Sequence, residues 1–377
     1  LISFLMLIFI SVIFLKKYHQ GEIGVRHGFY FFVLIIVLGI LFTTLNIKLW
    51  SQYTHIGAMR RTHVMWFLFI IFIIFVDLFR ALTVFTGWSA GESYARELWP
   101  EKISAIDGIL KGKIFTLNTA RSIINGYFAS FVVVGFITLF SYIGMTYFHG
   151  WATASFALES IDRPIPFLIS ILGALLVAFS QEIVYRQFFI SYFRKVTKSV
   201  HLSILFAALV LTLQEPMVSI EPISLNFFQI VGLGIILGTL YVRYDLLTTI
   251  IGTAVSLMLL NGISLFYLDH QSYWFHAIII TIFMCVPLFI AIIGFIRRQY
   301  FTYSGDELPA HIRRISERAR MSKELEIARK VQLSLLPKGN PVIPGFEIHS
   351  LCIPAQEVGG DYYDFVRLDH NRIGIAI

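Results

Sequence analysis

Residues 166–189 read PFLISILGALLVAFSQEIVYRQFF. Apolar side chains fill the run as far as Phe179, then Gln181, Glu182, Arg186 and Gln187 interrupt it before Phe188 and Phe189 resume it. A charge at the centre of a membrane-crossing helix costs about 2.5–3.5 kcal/mol on insertion scales. Glu182 and Arg186 lie four residues apart, on one helix face, where they can pair. This reading ends the helix near 181 and places the pair near its cytoplasmic end. On chemistry alone an interfacial ion pair accounts for it.

Outward from this stretch the chain is equally apolar. Its 377 residues are 57% hydrophobic and 14% charged, with a mean hydropathy of +0.75. Soluble domains carry about 25% charged residues, so the composition points to a polytopic membrane protein. Apolar stretches near the ~20 residues that a spanning helix needs fall at 1–15, 29–45, 64–87, 123–147, 164–181, 200–215, 226–242, 247–267 and 274–296, about nine in all. The chain opens LISFLMLIFI without a Met or a recognisable signal peptide, so we expect a fragment beginning in or just before a helix. The net charge of +7 reads as basic cytoplasmic loops rather than nucleic-acid binding, because Lys and Arg favour that side. Arg297 and Arg298, Arg243, the Arg186–Lys198 stretch and the loop 88–122 fit one orientation, while Lys48, Arg60 and Arg61 break it. The orientation puts the C-terminal part in the cytoplasm of a cell whose inner membrane, read as bacterial, holds the spans. Cys285 and Cys352 have neither a metal-ligand spacing nor a disulfide framework.

Beyond 297 the character changes. Residues 313–338, RRISERARMSKELEIARKVQLSLLPK, mix charges of both signs, and Met321, Leu325, Ala328 and Leu335 recur at steps of three and four. With Gln332 in the slot between Ala328 and Leu335, that spacing predicts an amphipathic linker helix around 310–336, able to pair with a second copy or to act as a solvated tether. A Pro/Gly stretch follows, and FEIHSLCIP and RIGIAI read as strands by alternation. The expected organisation is a membrane domain over 1–297, a linker over 298–336 and the start of a soluble α/β domain over 337–377.

Two motifs carry chemistry. In EVGGDYYDF, residues 357–365, two glycines allow a tight turn and Asp361 offers a carboxylate of the kind Mg²⁺ and Mn²⁺ prefer. An acidic turn between strands explains the residues equally simply. The longer stretch 322–377, ELEIARKVQLSLLPKGNPVIPGFEIHSLCIPAQEVGGDYYDF and onward, resembles the opening of the stage II sporulation E / RsbU-type serine/threonine phosphatases, of the metal-dependent type 2C (PPM) class. The resemblance implies an α/β-sandwich, two Mn²⁺ or Mg²⁺ ions, Asp361 as a metal ligand and Asp364 as a weaker candidate. It also implies hydrolysis of a phosphorylated regulatory protein by metal-activated water, and a sequence that stops before the second metal motif.

The membrane part carries the other motif. QEIVYRQFF, SILFAALVL and FQIVGLGIILGTLYVRYDLLTTIIGTAVSLMLLN resemble, over 164–265, the CAAX prenyl protease / bacteriocin-processing family. Its first motif has two Glu, three residues and Arg; here Gln181 replaces the first Glu, and Glu182 and Arg186 remain. Its second has Phe, three residues and His; Phe206 is present, with Val210 at the His position. Thr253 falls where the third motif has another His. In that family the Glu activates water and the His residues bind metal or steady the oxyanion, which neither Val nor Thr can do. The resemblance therefore implies a catalytically dead relative of the protease fold, with Glu182 and Arg186 as a vestigial pair. The sequence taken as a whole gives, as expectations, a membrane-anchored signalling phosphatase contacting membrane lipid and a phosphoprotein, with a homodimer through the linker helix. The alternative is a protease-like membrane protein, active or reduced to a sensor or scaffold.

Overall fold

The computed structural model describes residues 2–53, 61–152, 165–214, 220–268, 271–302, 309–337, 339, 341–342, 345, 347–353, 362–368 and 372–377. It divides into two units, Leu1–Ile312 and Arg313–Ile377.

The first unit is a helical bundle. Its elements are α1 (Ile2–His19), α2 (Val25–Tyr53), α3 (Arg61–Phe72), a π-helical turn (Ile73–Asp77), α4 (Leu78–Leu98), a 3-10 turn (Pro100–Ile103), α5 (Ser104–Leu110) and α6 (Leu117–Tyr147). There follow α7 (Pro166–Gln181), a second π-helical segment (Glu182–Ile190), α8 (Ser191–Thr197), α9 (Val200–Gln214), α10 (Ile223–Arg243), α11 (Leu246–Phe266) and α12 (Gln271–Arg297). A two-residue antiparallel pair, β1 (Trp151–Ala152) with β2 (Ile220–Glu221), joins the end of α6 to the start of α10. Among the described residues eight helical runs are long and apolar enough to cross a membrane, and α9 is a shorter apolar helix. The chain is thus an integral membrane protein, with about eight spans where nine were expected; the ninth stretch, 200–215, makes the short α9.

Two of the spans sit inside the others. Leu246–Phe266 and Pro166–Thr197 are 67% and 61% buried along their most apolar stretch, against at most 33% for the remaining spans. Most other helices turn large apolar side chains such as Phe128, Phe131, Phe289 and Ile296 outward, which water would not tolerate and lipid does. The enclosed pair therefore positions whatever chemistry the bundle contains.

Helix boundaries differ from the sequence reading in two places, for one reason. The run expected to end at 87 continues to Leu98, and the run expected to end at 181 continues through the π-helical segment to Thr197. Both extensions contain small or polar residues that read as surface. In the fold Gly87, Ser89, Ala90, Gly91, Glu92, Ser93 and Ala95 are all buried. The two extensions pack on each other: a Cβ added to Gly91 would lie 3.0 Å from the Cα of Phe188 and 3.1 Å from its backbone nitrogen. Only glycine lets these backbones approach so closely.

Helix starts are fixed by caps. Thr116 accepts from the backbone N–H of Thr119 at 3.3 Å to begin α6. Asp245 accepts from the backbone N–H of Thr248 at 2.7 Å to begin α11, and from the Ser122 hydroxyl of α6 at 2.6 Å. Lys102 donates to the Tyr244 carbonyl beside it at 2.8 Å. Burial pushes the Asp245 carboxyl above the usual range, opposed by its hydrogen bonds to Ser122 and Thr248, and burial lowers the Lys102 amine.

The second unit is sparse. The linker helix α13 (Ala310–Leu335) begins in the first unit and runs through the second. It carries exposed i,i+4 pairs, Arg320 with Glu324 at 3.4 Å and Lys330 with Glu326 at 2.8 Å, each worth about 0.3–0.5 kcal/mol. Met321, Leu325 and Leu335 are exposed. Beyond it the described residues form one hairpin, β3 (Asp364–Arg367) antiparallel to β4 (Ile373–Ala376). RIGIAI is thus a strand. FEIHSLCIP is not: described residues 347–353 are irregular, with Leu351 80% and Ile353 78% exposed, since no strand among the described residues receives them. The α/β-sandwich expected from residue 337 does not form among the described residues.

Replacing Asp245 by Ala removes the cap of the most enclosed helix and should destabilise the protein by about 1 kcal/mol or more. Asp245→Asn should retain most of the stability: its amide oxygen still caps, and burial already disfavours the charge it lacks. The raised carboxyl pKa also means that wild type loses stability, relative to Asn, as pH rises from the unfolded carboxyl's pKa through the folded one. Thermal unfolding in detergent for the three proteins, at acid and neutral pH, checks both statements.

Candidate functional site

The two enclosed spans meet at Glu182. This residue is fully buried, not interfacial, because its helix continues for fifteen residues to Thr197, flanked by buried Ile183, Val184, Phe188, Phe189 and Ile190. Arg186 Nε lies 3.3 Å from Glu182 Oε2, with both side chains at 2% exposure or less. The pair forms as its spacing predicts, but in the bundle interior rather than near the helix end. From α11, Thr253 Oγ1 donates to Glu182 Oε1 at 2.8 Å.

The local backbone is π-helical from Glu182 to Ile190. Such wider turns are uncommon and concentrate at functional sites. Here they carry Glu182, Arg186 and Gln187 into the interior together. The guanidinium nitrogens of Arg186, both amide atoms of Gln187 and Glu182 Oε2 are buried, and none has a hydrogen-bond partner among the described residues. Buried polar atoms normally have partners, and in membrane spans they mark ligand or ion pathways. A planar guanidinium beside an amide suits a carboxylate or a peptide group.

Of the residues singled out by sequence, Glu182, Arg186 and Thr253 converge. Val210 is a half-buried aliphatic packed against the main core, and Phe206, 39% exposed, lies against Phe193 with ring centroids 5.5 Å apart. Among the described residues Glu182 thus accepts a hydrogen bond from a hydroxyl and faces a guanidinium at ion-pair distance. Asp361 lies outside the described residues. Asp364 opens β3 and accepts from the backbone N–H of Phe365 at 2.8 Å and from the Tyr362 hydroxyl at 3.4 Å.

Residues 163–258 match the family model "Rce1-like: Type II CAAX prenyl endopeptidase Rce1-like". The match covers the endopeptidase-like segment drawn from sequence over 164–265 as far as residue 258 and contains Glu182, Arg186, Val210 and Thr253. No curated protein and no solved structure matches the chain. The phosphatase expectation is overturned: the family model that matches is an endopeptidase one, the described residues are nearly all membrane-type helix, and those of the terminal segment form only a hairpin.

A second buried polar cluster was missed. Glu92 and Arg96 repeat the Glu-x-x-x-Arg spacing of the endopeptidase-like segment, one helix away. Arg96 Nε and Nη2 donate to Glu92 Oε1 at 2.9 and 2.7 Å, and Nη1 and Nη2 donate to Asp107 of α5 at 3.0 and 2.7 Å. Burial pushes the Asp107 carboxyl above its ordinary range, against the opposing pull of Arg96. The repeated spacing was visible in GESYAREL; the partners Asp107 and His27 come from other helices and were not.

Arg186→Leu leaves Glu182 buried without its cation and should destabilise the protein by about 3–5 kcal/mol. Adding Glu182→Leu in the same chain should recover much of that loss, because no bare charge remains. Denaturant or thermal unfolding of the two single variants and the double variant in detergent measures the coupling.

Proposed function

We propose that the membrane domain is an endopeptidase-like fold that binds a hydrophobic or lipid-modified peptide within the bilayer at Glu182, Arg186 and Gln187, and does not hydrolyse it. The observation that carries the reading is the Thr253 hydroxyl on Glu182. Hydrolysis needs a base poised to take a proton and a group to hold the developing oxyanion. Here the Thr253 hydroxyl already donates to one carboxylate oxygen of Glu182 and Arg186 faces the other, so neither oxygen is kept for a water alone. Val210 and Thr253, at positions where the resembled family carries imidazoles, supply neither a metal ligand nor a general acid. What the site retains is recognition chemistry: a guanidinium and an amide, both with open hydrogen-bonding capacity. The matched prenyl-endopeptidase family makes prenylated peptides the first ligands to try.

The family match favours a second reading, an intramembrane peptidase with Glu182 as general base. Protein reconstituted in vesicles with a fluorescent prenylated peptide separates the two. Our reading expects saturable binding, weakened at least tenfold by Gln187→Leu, with no cleavage. Cleavage that Glu182→Gln abolishes would establish the peptidase instead.

The same proposal places α13 on the cytoplasmic side, supported by Arg297 and Arg298 at the end of α12. Its exposed Met321, Leu325 and Leu335 support a helix contact between two copies. Cysteines placed one at a time along 312–336 should crosslink with helical periodicity, and Leu325→Asp with Leu335→Asp should remove that pattern; uniformly weak crosslinking speaks for a passive tether.

A further inference from the structure

We propose that His27, Glu92, Asp107 and His311 form a divalent-cation site that fastens the first turn of α13 to the membrane bundle. The proposal does not depend on the endopeptidase-like site.

The geometry comes first. One ligand atom each from His27, Glu92 and Asp107 lies within 4.8 Å of the others. They come from three elements, α2, α4 and α5, and Glu92 and Asp107 are 1% exposed. The His311 Nε2 lies 3.6 Å from Glu92 Oε1 and has no hydrogen-bond partner among the described residues. Glu92 Oε2 is likewise buried without a partner. This unmatched oxygen, on a side chain only 1% exposed, is the observation that points to a ligand.

Charge gives the sign of that ligand. Two carboxylates face one guanidinium, leaving one net negative charge in a buried place, where an uncompensated charge is unfavourable. Arg96 does not block the site. It holds Glu92 and Asp107 in convergent orientations, and each carboxylate oxygen has more than one lone pair. Partners that orient ligands in this way are a regular feature of metal centres.

The donor set gives the class. Two imidazoles and two carboxylates suit Zn²⁺ or a neighbouring first-row divalent ion better than Ca²⁺, which takes six to eight oxygens. His311 sits in the first turn of α13, so an ion held there joins the linker helix to α2, α4 and α5. Its seat is specific. A Cβ on Gly24 would lie 2.3 Å from the His311 Cε1 and 2.5 Å from Nε2, so the ring occupies the space that glycine leaves.

The test uses the full chain in detergent, stripped with chelator and then titrated separately with Zn²⁺, Mn²⁺ and Ca²⁺. Metal content after desalting and the shift in unfolding temperature are the readouts. The expected result is one Zn²⁺ per chain, a rise in unfolding temperature, and weaker or no retention of Ca²⁺. His27→Gln should lower Zn²⁺ affinity at least tenfold, and Gly24→Ala, which displaces the His311 ring without touching another ligand, should lower it as well. Glu182→Gln should bind Zn²⁺ as wild type does. No retained Zn²⁺, or retention unaltered by both His27→Gln and Gly24→Ala, overturns the site. Retention lost in His27→Gln but unchanged in Gly24→Ala overturns the fastening of α13. Circular dichroism of each variant confirms that a loss reflects the site and not the fold.

Discussion

Lipid surrounds this bundle, so a charge inside it must find its partner within the protein. That constraint organises the interior. Glu182 is answered by Arg186 and Thr253, and Glu92 by Arg96. Each pair sits on one face of its helix, and the two helices pack directly on each other at Gly91 and Phe188. The close approach excludes solvent from both pairs, and the pairs make the close approach tolerable. A further network closes the same end of α4: Lys17 lies 2.6 Å from Glu22, Ser93 donates to Glu22 at 3.3 Å, and Lys17 lies 3.7 Å from Glu97.

The apolar spans were legible because length and hydropathy leave little choice for a run of twenty apolar residues. Their ends were not. GWSAGESYAREL and QEIVYRQFF read as surface because they are polar, yet in a bundle polarity also marks the inside. Small residues such as Gly87, Ala90 and Gly91 let helices touch, and the charges between them pair laterally. A reading keyed to hydropathy ends each helix where its most consequential part begins.

The endopeptidase-like site was legible in part. Glu182 and Arg186 lie four apart, and Thr253, which the resemblance set in an imidazole's place, lies within hydrogen-bond distance of Glu182. The cluster around Glu92 was not legible, since His27, Asp107 and His311 are separated from it in the chain and are gathered only by helix packing. At the other end of the chain, the alternation in FEIHSLCIP promised a strand, but a strand needs a neighbour, and that stretch has none among the described residues.

The π-helical segment has a consequence for how this chain tolerates changes in length. In a regular α-helix, gaining or losing one residue turns everything downstream by about 100°. The widened turns from Glu182 to Ile190 hold such an offset within nine residues. Deleting a single residue there would let the helix close to the ordinary α pitch. Tyr192 and Phe193 would then keep their phase and their contacts with Phe9 and Phe206, now at centroid distances of 5.3 and 5.5 Å, while Arg186 and Gln187 would lose their present orientation. The segment thus acts as a phase adjuster between the helix that carries the carboxylate and the aromatic seam beyond it, and the fold should accept a one-residue deletion within these turns more readily than one in the regular helix on either side.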